Sequence, residues 1–212
     1  MPVRTLIFDL GRTLIDFSLN RLEPEIHACR EQAQRYFLQA ETGALPAAEL
    51  QAAICGLTGM APMRFAPWWN SIFASGWLIP PEWILSLKSR YRVGLLSNTN
   101  QTHFEHLAQT RPLLQAFDFH VLSHEVGAAK PDDRIYAAAE GQAQCPPEAI
   151  FYVDDVAGFV EAARRRGWCA TQFSGIKALA DALAAAGVHL ADELRAKAGV
   201  SRTNTSVPTE GS

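Results

Sequence analysis

The chain has 212 residues, a length that fits one ordinary domain or one domain carrying a sizeable insertion. Hydrophobic residues make up 48%, enough for a packed core, while a net charge of −3 and a pI near 6.1 argue against nucleic acid or an anionic membrane as an obligatory partner. No apolar stretch is long enough to span a bilayer, and the N-terminus leads into a strand pattern instead of a signal peptide, so we expect a soluble, cytoplasmic protein.

The cysteines are scattered singly along the chain, and no two of them form a Cys-x-x-Cys pair. This spacing predicts neither a zinc site nor a redox motif. In a reducing cytoplasm a disulfide framework is not expected either. We therefore interpret Cys29, Cys55, Cys145 and Cys169 as small buried or half-buried thiols.

The first predicted element is a buried strand over residues 3–8, an apolar run bounded by polar residues and glycine. Asp9 follows this strand directly. Because open α/β folds bind their ligands at the carboxyl ends of strands, the Asp9 carboxylate is the first candidate functional group. Gly11, two residues further on, has no side chain to offer.

A stretch without strand pattern follows and is interpreted as a helical cap inserted after the first strand. Apolar residues at helical spacing and prolines at helix starts predict helices over 19–40, 47–55 and 68–76, with another beginning at Pro80. Residues 56–67, rich in Gly, Pro and Met, are predicted to be irregular.

From Tyr91 onward strands and helices alternate, which predicts a parallel sheet covered on both faces. The predicted strands cover 91–98, 117–122, 150–155 and 168–173, the helices between them 101–110, 131–142 and 159–166, and further helices 177–198 with Gly199 as a stop. The predicted organisation is a doubly wound, Rossmann-like α/β core domain over 1–18 and 88–198, a helical cap domain over 19–87, and a disordered tail over 199–212.

Polar residues at the predicted strand ends can converge on one site. They are Asp9, Ser97 with Asn98, Lys130 in the loop after the third strand, and Asp154 with Asp155. Carboxylates from two strand ends could share Mg²⁺, which prefers oxygen ligands, and a hydroxyl, amides and an ammonium group could cradle a phosphate. A carboxylate beside both can act as a nucleophile and form an aspartyl-phosphate.

These motifs resemble the haloacid dehalogenase-like (HAD) superfamily of phosphotransferases. The resemblance covers roughly residues 3–175, and the insert corresponds to the small type of cap in that superfamily. It is carried by four motifs in the right order: Phe8 to Leu14 (FDLGRTL), Leu95 to Asn98 (LLSN), Gly127 to Pro131 (GAAKP) and Phe151 to Asp155 (FYVDD). Within the superfamily the chain is most similar to small-cap phosphatases that hydrolyse glucose 1-phosphate, which share the Asp-Leu-Gly, Ser-Asn-Thr-Asn and Asp-Asp sequences.

The resemblance implies a role for each matching residue in phosphoryl transfer. Asp9 would be the nucleophile that attacks phosphorus in line. Ser97 would hydrogen-bond the transferring phosphoryl group, and Asn98 would supply a neighbouring contact. Lys130 would neutralise the negative charge that Asp9 and the phosphate place together.

The resemblance also implies a metal site and positions near the substrate. Asp9, the backbone carbonyl of Gly11 and Asp155 would bind Mg²⁺, with Asp154 as a helper. Arg12, as well as Asp16, Phe17 and Asn20 where the cap begins, would lie near the substrate.

Three departures from the family pattern bear on turnover. Most family phosphatases carry a second Asp where this chain has Gly11, and that Asp protonates the leaving oxygen and then activates water. General acid–base catalysis contributes about two to four powers of ten in rate, so Asp16 or a cap group would have to substitute, or the leaving group would have to be activated. Arg12 replaces a small residue, and Phe159 stands where related proteins carry Asn.

Several residues keep two interpretations. Ser97 and Asn98 could instead cap the helix that begins near Gln101, and Lys130 could be a solvated loop lysine. His103 and His106 have partial metal spacing without an evident third ligand. The tryptophans of the cap could form its core or line the substrate pocket; they are Trp68, Trp69, Trp77 and Trp83.

The leading functional prediction is a Mg²⁺-dependent phosphatase that hydrolyses a small phosphomonoester, most typically a sugar phosphate. The second hypothesis is a 2-haloacid dehalogenase, which would use Asp9 without a metal. The third is a binding or scaffold protein that kept the fold and lost turnover. The predicted partner is a small phosphorylated metabolite, with neither nucleic acid nor membrane, in a monomer or homodimer.

Overall fold

Five parallel strands form one sheet in the order β3-β2-β1-β4-β5, in a computed structural model that describes residues 1–73 and 76–199. The strands are β1 (Thr5–Phe8), β2 (Arg92–Ser97), β3 (Phe119–Leu122), β4 (Ile150–Asp154) and β5 (Cys169–Gln172). Central β1 lies between β2 and β4, with Phe8 opposite Leu95 and Val153. The strand order reverses here, which is where open α/β sheets bind ligands.

The helices that surround the sheet and build the insert are, in chain order, α1 (Glu23–Ile26), α2 (Arg30–Glu41), α3 (Ala47–Thr58), α4 (Pro62–Asn70), α5 (Pro81–Lys88), α6 (Gln101–Thr110), α7 (Ser123–Val126), α8 (Asp133–Ala143), α9 (Ala157–Arg165), α10 (Ile176–Ala185) and α11 (Asp192–Lys197). Among the described residues, none of these helices is long and apolar enough to cross a membrane.

Both faces of the sheet are buried, as the doubly wound prediction requires. On one face Leu6 and Phe8 pack with Trp83 of α5, and on the other Ile7 packs with Tyr136 of α8. Alternate side chains of β1 are therefore buried on opposite faces of the sheet. This explains why the sequence of the strand is a continuous apolar run. The predicted fold class, a Rossmann-like α/β core, is confirmed.

The insert after β1 has a hydrophobic cluster of its own. Residues of α1 to α4 pack around Ile54, Phe65 and Trp69. Helix α5 does not join them, because its buried residues pack against the sheet. If the insert is defined by the residues that pack in its own hydrophobic cluster, it ends before α5. The division of the chain into domains at residues 18, 87 and 198 stays a prediction.

The insert departs from its predicted helices in two places. The helix predicted over 19–40 is divided into a 3₁₀ turn over Leu19–Arg21, helix α1, a second 3₁₀ turn over His27–Cys29, and helix α2. Pro24 lies in the first turn of α1, where its missing N–H costs no helical hydrogen bond. The irregular segment predicted over 56–67 is wrong. Helix α3 runs to Thr58 and α4 begins at Pro62, because proline is well accommodated at a first helical position.

Other boundaries also shift. Helix α4 ends at Asn70 and a 3₁₀ turn follows over Ser71–Phe73, so the helix predicted to Gly76 is shorter. Helix α7 was not expected from the sequence. Helix α11 ends just before Gly199, while the tail predicted to be disordered lies, apart from Gly199, outside the described residues.

Candidate active site

The carboxyl edge of the sheet carries a buried ionic cluster. Asp9, directly after β1, is only 6% exposed, and its backbone N–H donates to the carbonyl of Val153 at 2.9 Å, so the chain stays in the sheet one residue beyond the strand. Ser97 ends β2 and Asp154 ends β4, and both are buried. Buried polar groups must be paired, and Lys130 pairs two of these.

Lys130 lies at the centre of this cluster. Its Nζ donates to Asp9 Oδ1 and to Asp154 Oδ2, each at 2.7 Å. It also donates to the carbonyl of Leu96 at 3.1 Å and contacts the hydroxyl of Tyr152 at 3.2 Å. The lysine is 4% exposed, so it is not the solvated loop residue that was the alternative.

Asn98 fixes the backbone of the loop that carries Lys130. Its Oδ1 accepts from the backbone N–H of Lys130 at 2.7 Å, and its Nδ2 donates to the carbonyl of the same residue at 3.1 Å. Both polar atoms of the Asn98 side-chain amide thus form hydrogen bonds within the protein. The contact with a phosphate that the sequence suggested for Asn98 stays a prediction.

The charges in this cluster depend on one another. Burial raises the pKa of Asp9 to about 7, with Asp154 and Asp155 adding to the effect and Lys130 opposing it. For Lys130 burial opposes the charge, but the two adjacent carboxylates outweigh it and raise its pKa, so it remains a cation. A cation added beside Asp9 would favour the ionised carboxylate that a nucleophile requires.

Asp9, Asp154 and Asp155 each place a carboxylate oxygen within 4.8 Å of the others. Burial and then the charge of Asp154 raise the pKa of Asp155, which is the expected behaviour of crowded carboxylates without enough positive charge. The donors are all oxygens, and no described residue donates a hydrogen bond to the carbonyl of Gly11, so the set fits a hard cation such as Mg²⁺.

Asp154 accepts more hydrogen bonds from the described residues than either of the other two carboxylates. Its Oδ1 accepts from the backbone N–H of Val156 at 2.8 Å, and its Oδ2 accepts from Lys130 and, through a short hydrogen bond, from Tyr152. Asp155 has a half-exposed side chain and makes no comparable bonds to the described residues. Asp9 and Asp155 are therefore better placed than Asp154 for direct contact with a metal.

A cavity of about 280 Å³ lies between the helical insert and the sheet edge, and its lining includes Leu10 and Gly11, which follow Asp9, but not Asp9 itself. Gly11, Ser97 and Asn98 line its floor. Its walls are largely apolar and aromatic, and come from Leu10, Phe17, Leu19, Phe37, Leu38, Trp69, Ile72 and Phe73, with Gln34, Glu41, Thr99, Asn100 and His103 as the polar lining groups. A small ligand would fit this space.

Two predicted substrate positions, Arg12 and Asp16, do not line this cavity. Arg12 adopts a left-handed backbone (φ 57°) and is exposed, with its guanidinium carbon 5.1 Å from the ring centroid of Phe17. Asp16 pairs through its backbone N–H with the carbonyl of Gly76 at 3.2 Å. Phe17, in contrast, does line the cavity.

Two of the four tryptophans serve the purposes that the sequence left open, whereas Trp77 and Trp83 pack against the core of the sheet. Trp68 and Trp69 belong to the core of the insert, and Trp69 also lines the cavity, stacked on His103 with ring centroids 4.2 Å apart. Burial lowers the pKa of His103 to about 3, and its two ring nitrogens contact Asn100 and the carbonyl of Trp69. This histidine is a neutral, buried wall residue and not one of a metal pair.

Sequence reasoning missed Tyr152, although a signal for it exists. Side chains two positions apart on a strand share a face, so Tyr152 and Asp154 must lie on the same side of β4. Burial raises the pKa of Tyr152 well above its usual range, with Asp154 adding to the effect, so the phenol keeps its proton and donates it to that carboxylate. Phe159 packs beneath Lys130, with Nζ 5.1 Å from the ring centroid.

The hydroxyl of Tyr152 should stabilise the buried cluster. We expect Tyr152→Phe to lower the free energy of unfolding by about 1–2 kcal/mol, because a charged acceptor loses its hydrogen bond. Urea unfolding measures this. Tyr91→Phe is a control, since the Tyr91 hydroxyl accepts one backbone hydrogen bond from His189 at 2.9 Å, outside the cluster. An equal or larger loss in the control would contradict a special role for Tyr152.

Gly11 is required by close packing against Phe17. A Cβ at position 11 would lie 2.5 Å from Phe17 Cε1, so the aromatic ring must move to admit even a methyl group. We expect Gly11→Ala to destabilise the protein by about 1–3 kcal/mol, as overpacking does. In a Phe17→Ala background the same substitution should cost much less, which a double-mutant cycle in urea would measure. Additive effects would contradict the steric explanation.

The chain is similar in sequence and in structure to known proteins. Residues 79–167 match the family model described as haloacid dehalogenase-like hydrolase. A D-ribitol-5-phosphate phosphatase from Bacteroides thetaiotaomicron is 24% identical over 186 residues, which covers 78% of this chain and 89% of the relative. A HAD family enzyme from the same organism, solved in complex with magnesium and inorganic phosphate, superposes with a TM-score of 0.71 at 27% identity, over 82% of this chain and 95% of that one.

A predicted HAD-like family hydrolase from Porphyromonas gingivalis has the same fold. It superposes with a TM-score of 0.73 at 22% identity and covers 86% of this chain and 98% of its own length. These similarities extend over both the sheet and the helical insert, since each covers more than three quarters of the chain.

Proposed function

We propose that this chain is a haloacid dehalogenase-like hydrolase and acts as a magnesium-dependent phosphatase, which hydrolyses a small phosphomonoester through an aspartyl-phosphate on Asp9. The observation that carries the proposal is the triad of carboxylates within 4.8 Å of one another, two of which share one buried lysine. The three acidic groups face Lys130 and the charge of Arg12, which acts on Asp155, so negative charge is left over and a divalent metal would balance it.

The residues of the chain suit the two chemical steps of such a reaction. Lys130 holds Oδ1 of Asp9, and the second carboxylate oxygen is left to attack phosphorus as the bond to the leaving alcohol breaks. Ser97, at the end of β2 beside the cavity, can donate its hydroxyl to the phosphoryl oxygens. Water then attacks the aspartyl-phosphate, which releases inorganic phosphate and restores Asp9.

The metal site would use Asp9, Asp155 and the carbonyl of Gly11, with Asp154 holding Lys130 in place. Mg²⁺ bound there would supply Lewis-acid stabilisation of charge on the phosphoryl oxygens. Lys130 and the backbone around Asp9 would keep the nucleophile ionised and aimed at the cavity. The phosphatase relative and the magnesium–phosphate complex of a structural relative support this assignment.

A sugar phosphate or related polyol phosphate is the substrate class that we propose. The support is the D-ribitol-5-phosphate phosphatase relative and a cavity sized for a small metabolite. Arg12 and Asp16 lie outside the lining of this cavity, so any contact they make with a substrate would come from its rim. A cytoplasmic location, and a monomer or homodimer, complete the proposal.

A phosphate-release screen tests the function. Wild-type protein is offered sugar phosphates, polyol phosphates and p-nitrophenyl phosphate, with Mg²⁺ or with EDTA. Phosphate release that requires Mg²⁺ is the expected result. Folded wild-type protein that releases phosphate from none of these substrates would overturn the proposal.

The same screen distinguishes the dehalogenase alternative, which the Asp-Leu-Gly sequence leaves open. Chloroacetate or fluoroacetate is added in EDTA, and halide release is measured. Halide release without metal, together with no phosphate release, would favour the dehalogenase. The carboxylate triad favours the opposite outcome.

A further inference from the structure

Hydrolysis of an alkyl phosphate needs a group that gives a proton to the leaving oxygen, and Gly11 cannot provide one. The ring of Phe17 occupies the space that a side chain at position 11 would need. Asp16, the nearest following carboxylate, is not among the cavity-lining residues. The proton donor must therefore come from another wall of the cavity, or the reaction must proceed without one.

Glu41 is the only carboxylate among the residues that line the cavity in the described part of the chain. It is the last residue of α2, and it lies in the same cavity as Gly11 and Ser97, the residues that flank the predicted nucleophile. No local pattern points to this residue, because Glu41 is 32 positions from Asp9 and lies on the helical insert.

The end of α2 is held firmly against the sheet edge. Gly43, two residues after Glu41, has a left-handed backbone (φ +69°), and a Cβ there would lie 2.2 Å from the carbonyl oxygen of His124 on α7. Only glycine permits so close an approach of the two backbones. The position of Glu41 over the cavity is thus set by backbone contact between the insert and the sheet.

The carboxyl group of Glu41 has no competing partner. Within residues 1–73 and 76–199 it forms neither a hydrogen bond nor an ion pair, although its side chain is half-buried. Burial raises the pKa of Glu41, and the charge of Lys130 opposes this effect only in part. A carboxyl group with a raised pKa in a cavity is suited to exchange a proton with a ligand bound there.

Three other polar groups that line the cavity already form hydrogen bonds within the protein. Asn98 is bonded to the backbone of Lys130, and Asn100 is bonded to His103. His103 itself is neutral across the physiological range, because burial holds its pKa near 3. His124, on the helix that packs against the end of α2, contacts the carbonyl of Thr99 at 3.1 Å. None of these groups offers a free proton to a ligand in the cavity.

We propose that Glu41 is the general acid and base of this enzyme and replaces, from the helical insert, the acidic side chain that position 11 lacks. This inference rests on the proposed phosphatase function. In the first step Asp9 forms a bond to phosphorus, the bond from phosphorus to the alcohol oxygen breaks, and the Glu41 carboxyl gives its proton to that oxygen. In the second step the Glu41 carboxylate takes a proton from water as the water oxygen bonds to phosphorus and the bond to Asp9 breaks.

The test compares two leaving groups in Glu41→Gln. An alkyl phosphate such as ribitol 5-phosphate needs a proton on its leaving oxygen, whereas p-nitrophenolate leaves without one. We expect kcat/KM for the alkyl phosphate to fall about 10²- to 10⁴-fold, the usual contribution of general acid–base catalysis. For p-nitrophenyl phosphate kcat/KM should change by less than a few-fold, because it reports only the steps up to alcohol release.

Two further readouts separate catalysis from binding. With p-nitrophenyl phosphate, Glu41→Gln should give a burst of p-nitrophenolate followed by slow turnover, since the second step also needs the base. In wild type the alkyl phosphatase rate should decline at high pH as Glu41 loses its proton, and this limb should be absent in Glu41→Gln. Glu31→Gln, an exposed residue of the same helix, is the matched control and should behave as wild type.

Each outcome decides the proposal. An equal loss on both substrates, or a rise in KM alone, would make Glu41 a binding residue and overturn the proposal. Unchanged activity of folded Glu41→Gln would overturn it as well, and Glu41→Asp, which keeps a carboxyl group, checks for a merely structural loss. These results leave the phosphatase function intact. If wild type releases no phosphate at all, the proposed function fails, and the role of Glu41 fails with it.

Discussion

Asp9→Asn should abolish phosphate release, with a fall in kcat of at least about 10⁴-fold, because the amide is a poor nucleophile. The substitution keeps the size of the side chain and leaves Lys130 paired with Asp154. We therefore expect the fold to persist, which circular dichroism and thermal unfolding would check. The measurement is Mg²⁺-dependent phosphate release from the best substrate of the screen.

The matched control for this change is Asp181→Asn. Asp181 is half-exposed on α10, and among residues 1–73 and 76–199 its carboxylate pairs only with Lys177, at 2.8 Å, one turn earlier on the same helix. Activity of this variant should equal that of wild type. Residual activity of Asp9→Asn above one tenth of wild type, after contaminating phosphatase is excluded, would show that Asp9 is not the nucleophile.

Lys130→Ala should produce the largest loss of stability of any single substitution considered for this site. It removes the cation from between two buried carboxylates that lie 2.7 Å from it, and leaves Asp9 and Asp154 facing one another without compensation. Breaking a buried ion pair by removal of one partner costs about 3–5 kcal/mol. Urea unfolding at pH 7 measures the change.

An exposed lysine provides the comparison. Lys177→Ala removes a surface ion pair, for which we expect a change within about 1 kcal/mol. A loss for Lys130→Ala no larger than this would mean that the carboxylates rearrange or take up protons at little cost. Since the pKa of Asp9 is already raised to about 7 with Lys130 in place, the loss should shrink when unfolding is repeated at pH 5, where the carboxylates accept protons more easily.

The sequence was sufficient for the sheet and for its charged edge. Apolar runs that end in polar residues predict buried parallel strands, and the carboxyl ends of neighbouring strands must meet, so Asp9, Lys130 and Asp154 could be placed together before any coordinates were known. In the structure, Lys130 Nζ donates hydrogen bonds to the carboxylates of both Asp9 and Asp154. The catalytic roles of these residues await the experiments above.

The helical insert was less predictable, for physical reasons. The segment around Pro62 and Pro67 looks unsuited to helix by composition, yet α4 forms because Phe65, Trp68 and Trp69 bury their rings at helical spacing. Pro67 inside α4 costs about 3 kcal/mol, whereas burial of each of the three aromatic side chains contributes about 1.5–3 kcal/mol, so together they outweigh it. Tertiary packing therefore decides the conformation.

The cavity was the least predictable feature, since its walls come from distant parts of the chain. Proximity in sequence to Asp9 favoured Arg12 and Asp16, but the chain turns after Gly11 and carries both away from the cavity lining. Glu41 reaches the cavity only because α2 folds back over the sheet edge. A contact of this kind depends on how the insert packs, and no local pattern encodes it.

The two hydrogen bonds between the side chain of Asn98 and the backbone of Lys130 restrict the position of the lysine. A side-chain amide that both accepts from and donates to one residue's backbone reproduces the bonding of a neighbouring β-strand, so it adds one more rung to the ladder beyond the end of β2. The lysine is borne by a loop, and loops usually carry larger positional fluctuations than sheets. Because of these two hydrogen bonds, the backbone of Lys130 should fluctuate as little as the central strands do. The position of its ammonium group is then as well defined as that of a residue in the sheet.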